Sequence, residues 1–216
     1  MMRVVVLSTG NASPSREKCK ASVAAQSIAC EHIYIDAAEQ KPAKPKIQNQ
    51  VEAIASLPPD AFVALLDGDD WLPHQRCIER AVQEHAAGAW MTWGNFQFAD
   101  GRPGFADHYG FGELPRHCDW KLTHLKTFRA GLFQRLRDSD LHRDGEWLQH
   151  ATDLVVMFGI YELCPPERRC LIRDVIYTYD ISKSYEWNTD DAGLAREAED
   201  VAYVRSLPLY EPIEAL

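Results

Sequence analysis

The chain predicts an α/β protein, a mixed and mostly parallel sheet flanked by helices. Three observations carry that prediction. Short apolar runs rich in β-branched residues alternate with stretches of helical spacing, the order that produces parallel strands with helices on both faces. Four such runs fall in the first hundred residues, each separated from the next by enough chain for one helix. The runs end in polar residues, and ligands of open α/β sheets collect at the carboxyl ends of strands.

The first run is RVVVL, residues 3–7, which stops at STGN. Ser13 and Pro14 form an N-cap and first-turn pair for a helix reaching about residue 29. HIYID, residues 32–36, is a second strand ending in Asp36. Pro42 and Pro45 mark a loop, and residues 46–57 carry apolar positions at helical spacing until Pro58 and Pro59 stop them. A third strand, residues 62–66, delivers the aspartates of DGDD, and Pro73 opens a helix to Ala86. Residues 89–94, AWMTWG, are the fourth strand.

The second half changes character. Residues 99–120 are rich in Gly, Pro, His and aromatics and too long for an ordinary connection, so they read as a functional loop. Helical spacing returns over 125–136 and 146–163, followed by a strand at 170–179 and a charged helix over 192–205. No internal repeat or low-complexity segment is present.

The stretch AFVALLDGDDWLPH, residues 61–74, concentrates the chemistry. Carboxylates at the end of a buried strand repel one another and cost desolvation energy unless something positive joins them. Mg²⁺ or Mn²⁺ takes hard oxygen ligands and is held by one or two carboxylates plus substrate phosphates, which suits this segment. Helix capping alone would use one aspartate. Ser8, Thr9, Asp36, Asp67, Asp69 and Asp70 all follow strand ends and are expected to line one crevice.

Composition narrows the alternatives. At 216 residues, 46% hydrophobic and 25% charged, the chain fits one folded domain. A formal net charge of -9 argues against a stable complex with nucleic acid, whose affinity comes from clustered Lys and Arg. Cys19, Cys30, Cys77, Cys118, Cys164 and Cys170 form no CxxC pair and read as reduced thiols. The opening apolar run is too short for a signal peptide, and no run approaches the roughly twenty residues needed to cross a bilayer. The expectation is a soluble, cytoplasmic protein with no membrane span.

AFVALLDGDDWLPH resembles the DxD segment of family 2 glycosyltransferases of the GT-A fold, and the likeness continues through AWMTWGNFQFADG, LTHLKTFRAGLF, TDLVVMFGIYEL and VIYTYDIS. It is similar in detail to a small type known from large DNA viruses, phages and bacteria. The resemblance covers roughly residues 3–185 and implies metal-dependent transfer of a sugar from a nucleoside diphosphate sugar, usually with inversion. It implies a single GT-A domain over 1–216, with residues 1–98 binding the nucleotide sugar and 99–216 the acceptor.

Carried over by motif, Ser8, Thr9 and Asp36 hold nucleobase and ribose, Asp67 approaches ribose or metal, and Asp69 is the principal metal ligand, with Gly68 allowing close approach to the backbone. Asp153 matches the catalytic base. The family often has Glu-Asp there, where this chain has Thr152-Asp153, and DAAEQ replaces the usual Asp-Asp-Gly-Ser after the second strand. Asp153 shares a helical face with Met157 and Ile160, which moves it toward a cleft; an ordinary first-turn carboxylate is the competing role. Lys46 reaches a phosphate or is a solvated helix-start lysine. Asp70, Trp71, Trp93 and His124 are candidates for acceptor or diphosphate contacts, the tryptophans competing with a packing role. In LTHLKTFRAGLF, Lys126 and Arg129 are further candidates for such contacts, with Leu125, Phe128 and Leu132 packing inward.

Three other functions compete. A phosphatase using a strand-end aspartate nucleophile wants D-x-D-x-[TV], where this chain continues with Trp71 and Leu72. A nucleotidyltransferase wants an early Gly-rich loop, and LSTGNASP supplies one glycine. A non-catalytic sugar-nucleotide or glycan-binding module would keep the fold without turnover. The acceptor, whether saccharide, protein or modified nucleobase, is not legible in the sequence, and neither is the sugar.

Overall fold

A computed structural model describes residues 2–10, 15–110, 112–181 and 191–216, the side chains of 191 and 192 excepted. The expected helix start at Ser13 and Pro14 lies outside these residues. In chain order the elements are β1 (Val4–Gly10), α1 (Arg16–Ala24), β2 (Glu31–Asp36), α2 (Lys46–Ile54), β3 (Phe62–Leu65), α3 (Cys77–Ala86), β4 (Met91–Phe98), β5 (Lys126–Arg129), α4 (Ala130–Phe133), β6 (His142–Arg143), β7 (Glu146–Trp147), α5 (Thr152–Leu163), β8 (Arg169–Tyr179) and α6 (Asp191–Ser206).

Six strands form one sheet in the order β2-β1-β3-β5-β4-β8, with β6 and β7 a separate hairpin. β1 runs parallel to β2 and β3, and β4 runs parallel to β8. β5 lies antiparallel between β3 and β4. The mostly parallel sheet read from the sequence is therefore present, with one reversed strand at its centre.

The alternation of side chains sorts the core into two layers. Val5, Leu7, Val63 and Leu65 face a cluster that includes Ile47 and Ile54 of α2 and Val156 and Ile160 of α5. Val6, Phe62, Ala64 and Leu66 face the opposite cluster, with Cys19 and Val23 of α1 and Ile78 and Ala81 of α3. Strands buried on both faces read as continuous apolar runs, as VVVL and FVALL do.

Three expectations need correction. Residues 125–136 are not one helix: 126–129 are strand, followed by a single turn of helix at Ala130–Phe133. The spacing of Leu125, Phe128 and Leu132 imitates one helical face, yet Leu125 packs on the α1/α3 side and Phe128 on the α2/α5 side. The helix expected over 146–163 starts only at Thr152. Asp144 and Gly145, with φ of 54° and 85°, turn the chain between β6 and β7, and Asp-Gly is a strong short-range hairpin signal that the helical reading overrode. The helix after DGDD begins at Cys77 instead of Pro73, because Trp71 exchanges backbone hydrogen bonds with Thr178 of β8 and holds that stretch extended.

Candidate active site

β1 and β3 end side by side, and their continuations interlock. Gly68 N–H donates to Thr9 O at 3.0 Å. A Cβ on Gly68 would lie 2.8 Å from Gly10 Cα and 2.8 Å from the Tyr34 hydroxyl oxygen. The close approach that Gly68 permits is thus to Gly10 and Tyr34. It lets Asp67 project from a tight turn closed by Asp70 N–H donating to Asp67 O.

Reversal of β5 brings its first residue, Lys126, opposite Leu65 at the end of β3. The α2/α5 layer then supplies the remaining charges. Lys46, at the first turn of α2, donates to Asp67 Oδ1 at 2.7 Å and to Asp153 Oδ1 at 3.2 Å. Lys126 Nζ donates to Asp153 Oδ2. Asp153 sits in the first turn of α5, where the helix dipole favours an anion. Ligand atoms of Asp67, His124 and Asp153 all lie within 4.8 Å of one another.

Electrostatics follow from this packing. Burial alone would push the Asp153 carboxyl up, but Lys126 and then Lys46 hold it well below the usual carboxylate range. Asp67 is likewise pushed up by burial and brought net down by Lys46. Burial, with Lys126 beside it, pushes His124 down to about 3, so its imidazole is neutral and able to offer a lone pair. The ring stacks on Tyr177 at 4.4 Å between centroids, and its buried Nδ1 has no hydrogen-bond partner among the described residues. Asp69 is raised, by burial first and Asp67 second, the environment a cation relieves.

The strand-end residues do not all face one opening. Asp67, Lys46, His124 and Asp153 come together. Ser8 is fully buried and its Oγ lies 3.0 Å from His32 Nε2 and 3.7 Å from Cys19 Sγ. Thr9, half-buried, gives its carbonyl to Gly68. Asp36 accepts from the Arg16 guanidinium and from Ala38 N–H. Asp69 lies outside the three-ligand cluster, which is built on Asp67 with His124 and Asp153.

Asp70 is buried and tied to β8, accepting from the Tyr177 hydroxyl and from Asp180 N–H at 2.7 Å. Trp71 carries Lys18 Nζ over its ring at 3.2 Å. Trp93, 2% exposed, donates its indole N–H to Asp107 O at 2.9 Å and packs inside the core. Two groups that sequence reasoning undervalued are Lys126 and Arg16. A lysine inside a strand-like apolar run was the available signal for the first; nothing local marked Arg16 as the partner of Asp36. All six cysteines are free thiols.

Sheet order, the reversed central strand and a charged cluster at the carboxyl edge together define the class: an α/β protein of the GT-A fold. Among solved structures, S. aureus TarS 1–349 is similar with a TM-score of 0.60 at 16% identity, over 94% of this chain and 69% of that one. The same TarS fragment in complex with UDP-GlcNAc gives 0.59 at 16% identity, over 83% and 58%, and the longer TarS chain gives 0.58 at 16%, over 93% and 41%. No protein-family model matches the chain, and no curated protein matches it.

Proposed function

We propose that this chain is a glycosyltransferase that moves a sugar from a nucleoside diphosphate sugar to a hydroxyl acceptor, with inversion and with help from a divalent cation. The observation that carries the reading is the meeting of Asp67 and Asp153 through Lys46 at the carboxyl edge of the sheet. In this reading residues 1–98 hold the donor, 99–216 hold the acceptor, and Asp153 lies where the two halves meet. Similarity to a protein that has been solved with UDP-GlcNAc and with UDP makes a uridine diphosphate sugar the first donor to try.

The acceptor oxygen attacks the anomeric carbon, a new C–O bond forms, and the bond from that carbon to the diphosphate oxygen breaks with its electron pair. Asp153 Oδ1 takes the acceptor proton as general base. Lys46 lies beside the charge that develops on the leaving diphosphate, and fixed positive groups there stabilise the transition state. Asp67 and the neutral His124 imidazole offer ligand atoms within 4.8 Å of each other, as a divalent cation requires, and Asp69, outside that cluster but two residues along, has a raised carboxyl that a cation would relieve. Mg²⁺ or Mn²⁺ held by Asp67 and Asp69, with His124 adjacent, would neutralise charge on the departing diphosphate.

The test is binding and hydrolysis of a panel of nucleoside diphosphate sugars, with Mn²⁺ or with chelator, on wild type, Asp69→Ala and Asp153→Asn. Metal-dependent binding of one donor is expected, lost in Asp69→Ala; Asp153→Asn keeps binding and loses hydrolysis by about 10²-fold or more. Binding without any turnover would favour a sugar-nucleotide-binding module. Absence of binding to every donor under both conditions sinks the reading.

A further inference from the structure

Asp153 is held by two lysines that differ in kind. Lys46 is 31% exposed at its side chain and divides its ammonium between Asp67 and Asp153. Lys126 is 2% exposed, and Asp153 is its one carboxylate partner among the described residues. Its Nζ also lies 5.7 Å from the Trp120 ring centroid, over the ring face. A buried ammonium is costly to keep unless paired, and this pairing is supplied by a group 27 positions away in sequence.

The two oxygens of Asp153 therefore have different partners: Oδ2 faces the enclosed lysine and Oδ1 faces the accessible, shared one. We propose that Lys126 is a positioning residue that locks Oδ2 and thereby presents Oδ1 as the reacting oxygen, the acceptor hydroxyl taking the place of Lys46 there. The proposal rests on the reading of Asp153 as the base. The strand that carries Lys126 is held on both sides: β5 pairs with β3 at Lys126 itself, opposite Leu65, and with β4 at the next residue, Thr127, opposite Thr92. Phe128, on the same face as Lys126, is fixed in the core. A misplacement of about 1 Å at a reacting group costs about 10²-fold in rate, which is the scale of effect expected here.

The experiment compares wild type, Lys126→Met, Lys126→Arg and Asp153→Asn, using UDP-GlcNAc, or whichever donor the panel above selects, with water as acceptor. Folding is followed by thermal melting and nucleotide binding by titration with UDP. Lys126→Met is expected to lower the hydrolysis kcat about 100-fold with donor KM and UDP affinity within about threefold of wild type, and Lys126→Arg to restore at least tenfold of that loss. A purely structural lysine would instead lower the melting temperature and raise KM and the UDP dissociation constant together. That result overturns the proposal, as does wild-type kcat in Lys126→Met. If Asp153→Asn alone keeps full kcat, the base assignment fails; if Asp153→Asn is inactive and Lys126→Met is not, only the positioning role fails.

Discussion

Single side chains in this protein take their chemistry from burial. Lys46 stands where a cation was expected to join the aspartates, between Asp67 and Asp153, so part of the charge repulsion anticipated in DGDD is already met by the chain's own ammonium group. His85 shows the opposite effect, buried with no carboxylate contact among the described residues to charge it. His85 is pushed down to about 3 by burial, and among the described residues its ring hydrogen-bonds only Thr127 Oγ1, at 2.8 Å. Above pH 6.5 it is neutral folded and unfolded; below that the unfolded chain binds a proton the folded chain refuses. Stability is therefore lost as pH falls from about 6.5 toward 3, by about 1.4 kcal/mol per pH unit for this group. Denaturant titrations across that range should show a shallower acid slope in His85→Gln than in wild type. An unchanged slope would mean that His85 takes up its proton in the folded state.

At the scale of elements, the joint between β1 and β3 decides where the aspartates point. Gly10 and Gly68 pass so closely that neither tolerates a Cβ, and Tyr34 closes the third side while donating its hydroxyl to Gly68 O at 3.2 Å. Gly68→Ala is expected to cost about 1–3 kcal/mol through overpacking and to weaken nucleotide binding as Asp67 and Asp69 are displaced. Chemical denaturation and UDP titration of the same variant check both parts, and wild-type stability would show that the turn relaxes freely. β5 is the second decisive element. Run as a helix, LTHLKTFRAGLF would carry Leu125 and Phe128 to one face; as a strand it sends them to opposite layers and delivers Lys126 to Asp153.

Across the whole molecule, the long second-half loop is fastened by a buried ion pair. Arg116, fully buried, donates Nε and Nη2 to Glu162 of α5 at 2.6 and 3.0 Å and Nη1 to Val204 O of α6 at 2.6 Å. Arg205 of α6 returns the contact, donating to the carbonyls of Arg116 and Cys118. Loop, α5 and α6 thus share one network, and α5 carries Asp153. Arg116→Met takes the cation away from the buried Glu162 carboxyl, which keeps the Tyr210 N–H, and is expected to destabilise the fold by about 3–5 kcal/mol. Adding Glu162→Leu should recover most of that loss, because the apolar pair no longer needs compensation. Urea midpoints of the single and double variants measure it; equal midpoints for the two would locate the cost in the lost backbone contacts instead.

The sequence by itself determined the class of fold, the four leading strands, the strand at 170–179 and the concentration of carboxylates after the third strand. These are local facts: a strand buried on both faces must be continuously apolar, and the polar residues must begin where it leaves the sheet. Only the tertiary structure decided that Trp93 is core, that Asp70 is tied to β8, that the cluster around Asp67 contains His124 and Asp153, and that Lys126 faces inward on a strand. Each of those depends on a partner far along the chain, Asp153 lying 107 residues from Lys46 and Tyr177 lying 107 from Asp70. Short apolar runs satisfy helical and extended periodicities alike, and the choice falls to the pairing available; β3 and β4 each offered β5 a row of backbone partners that no local propensity records.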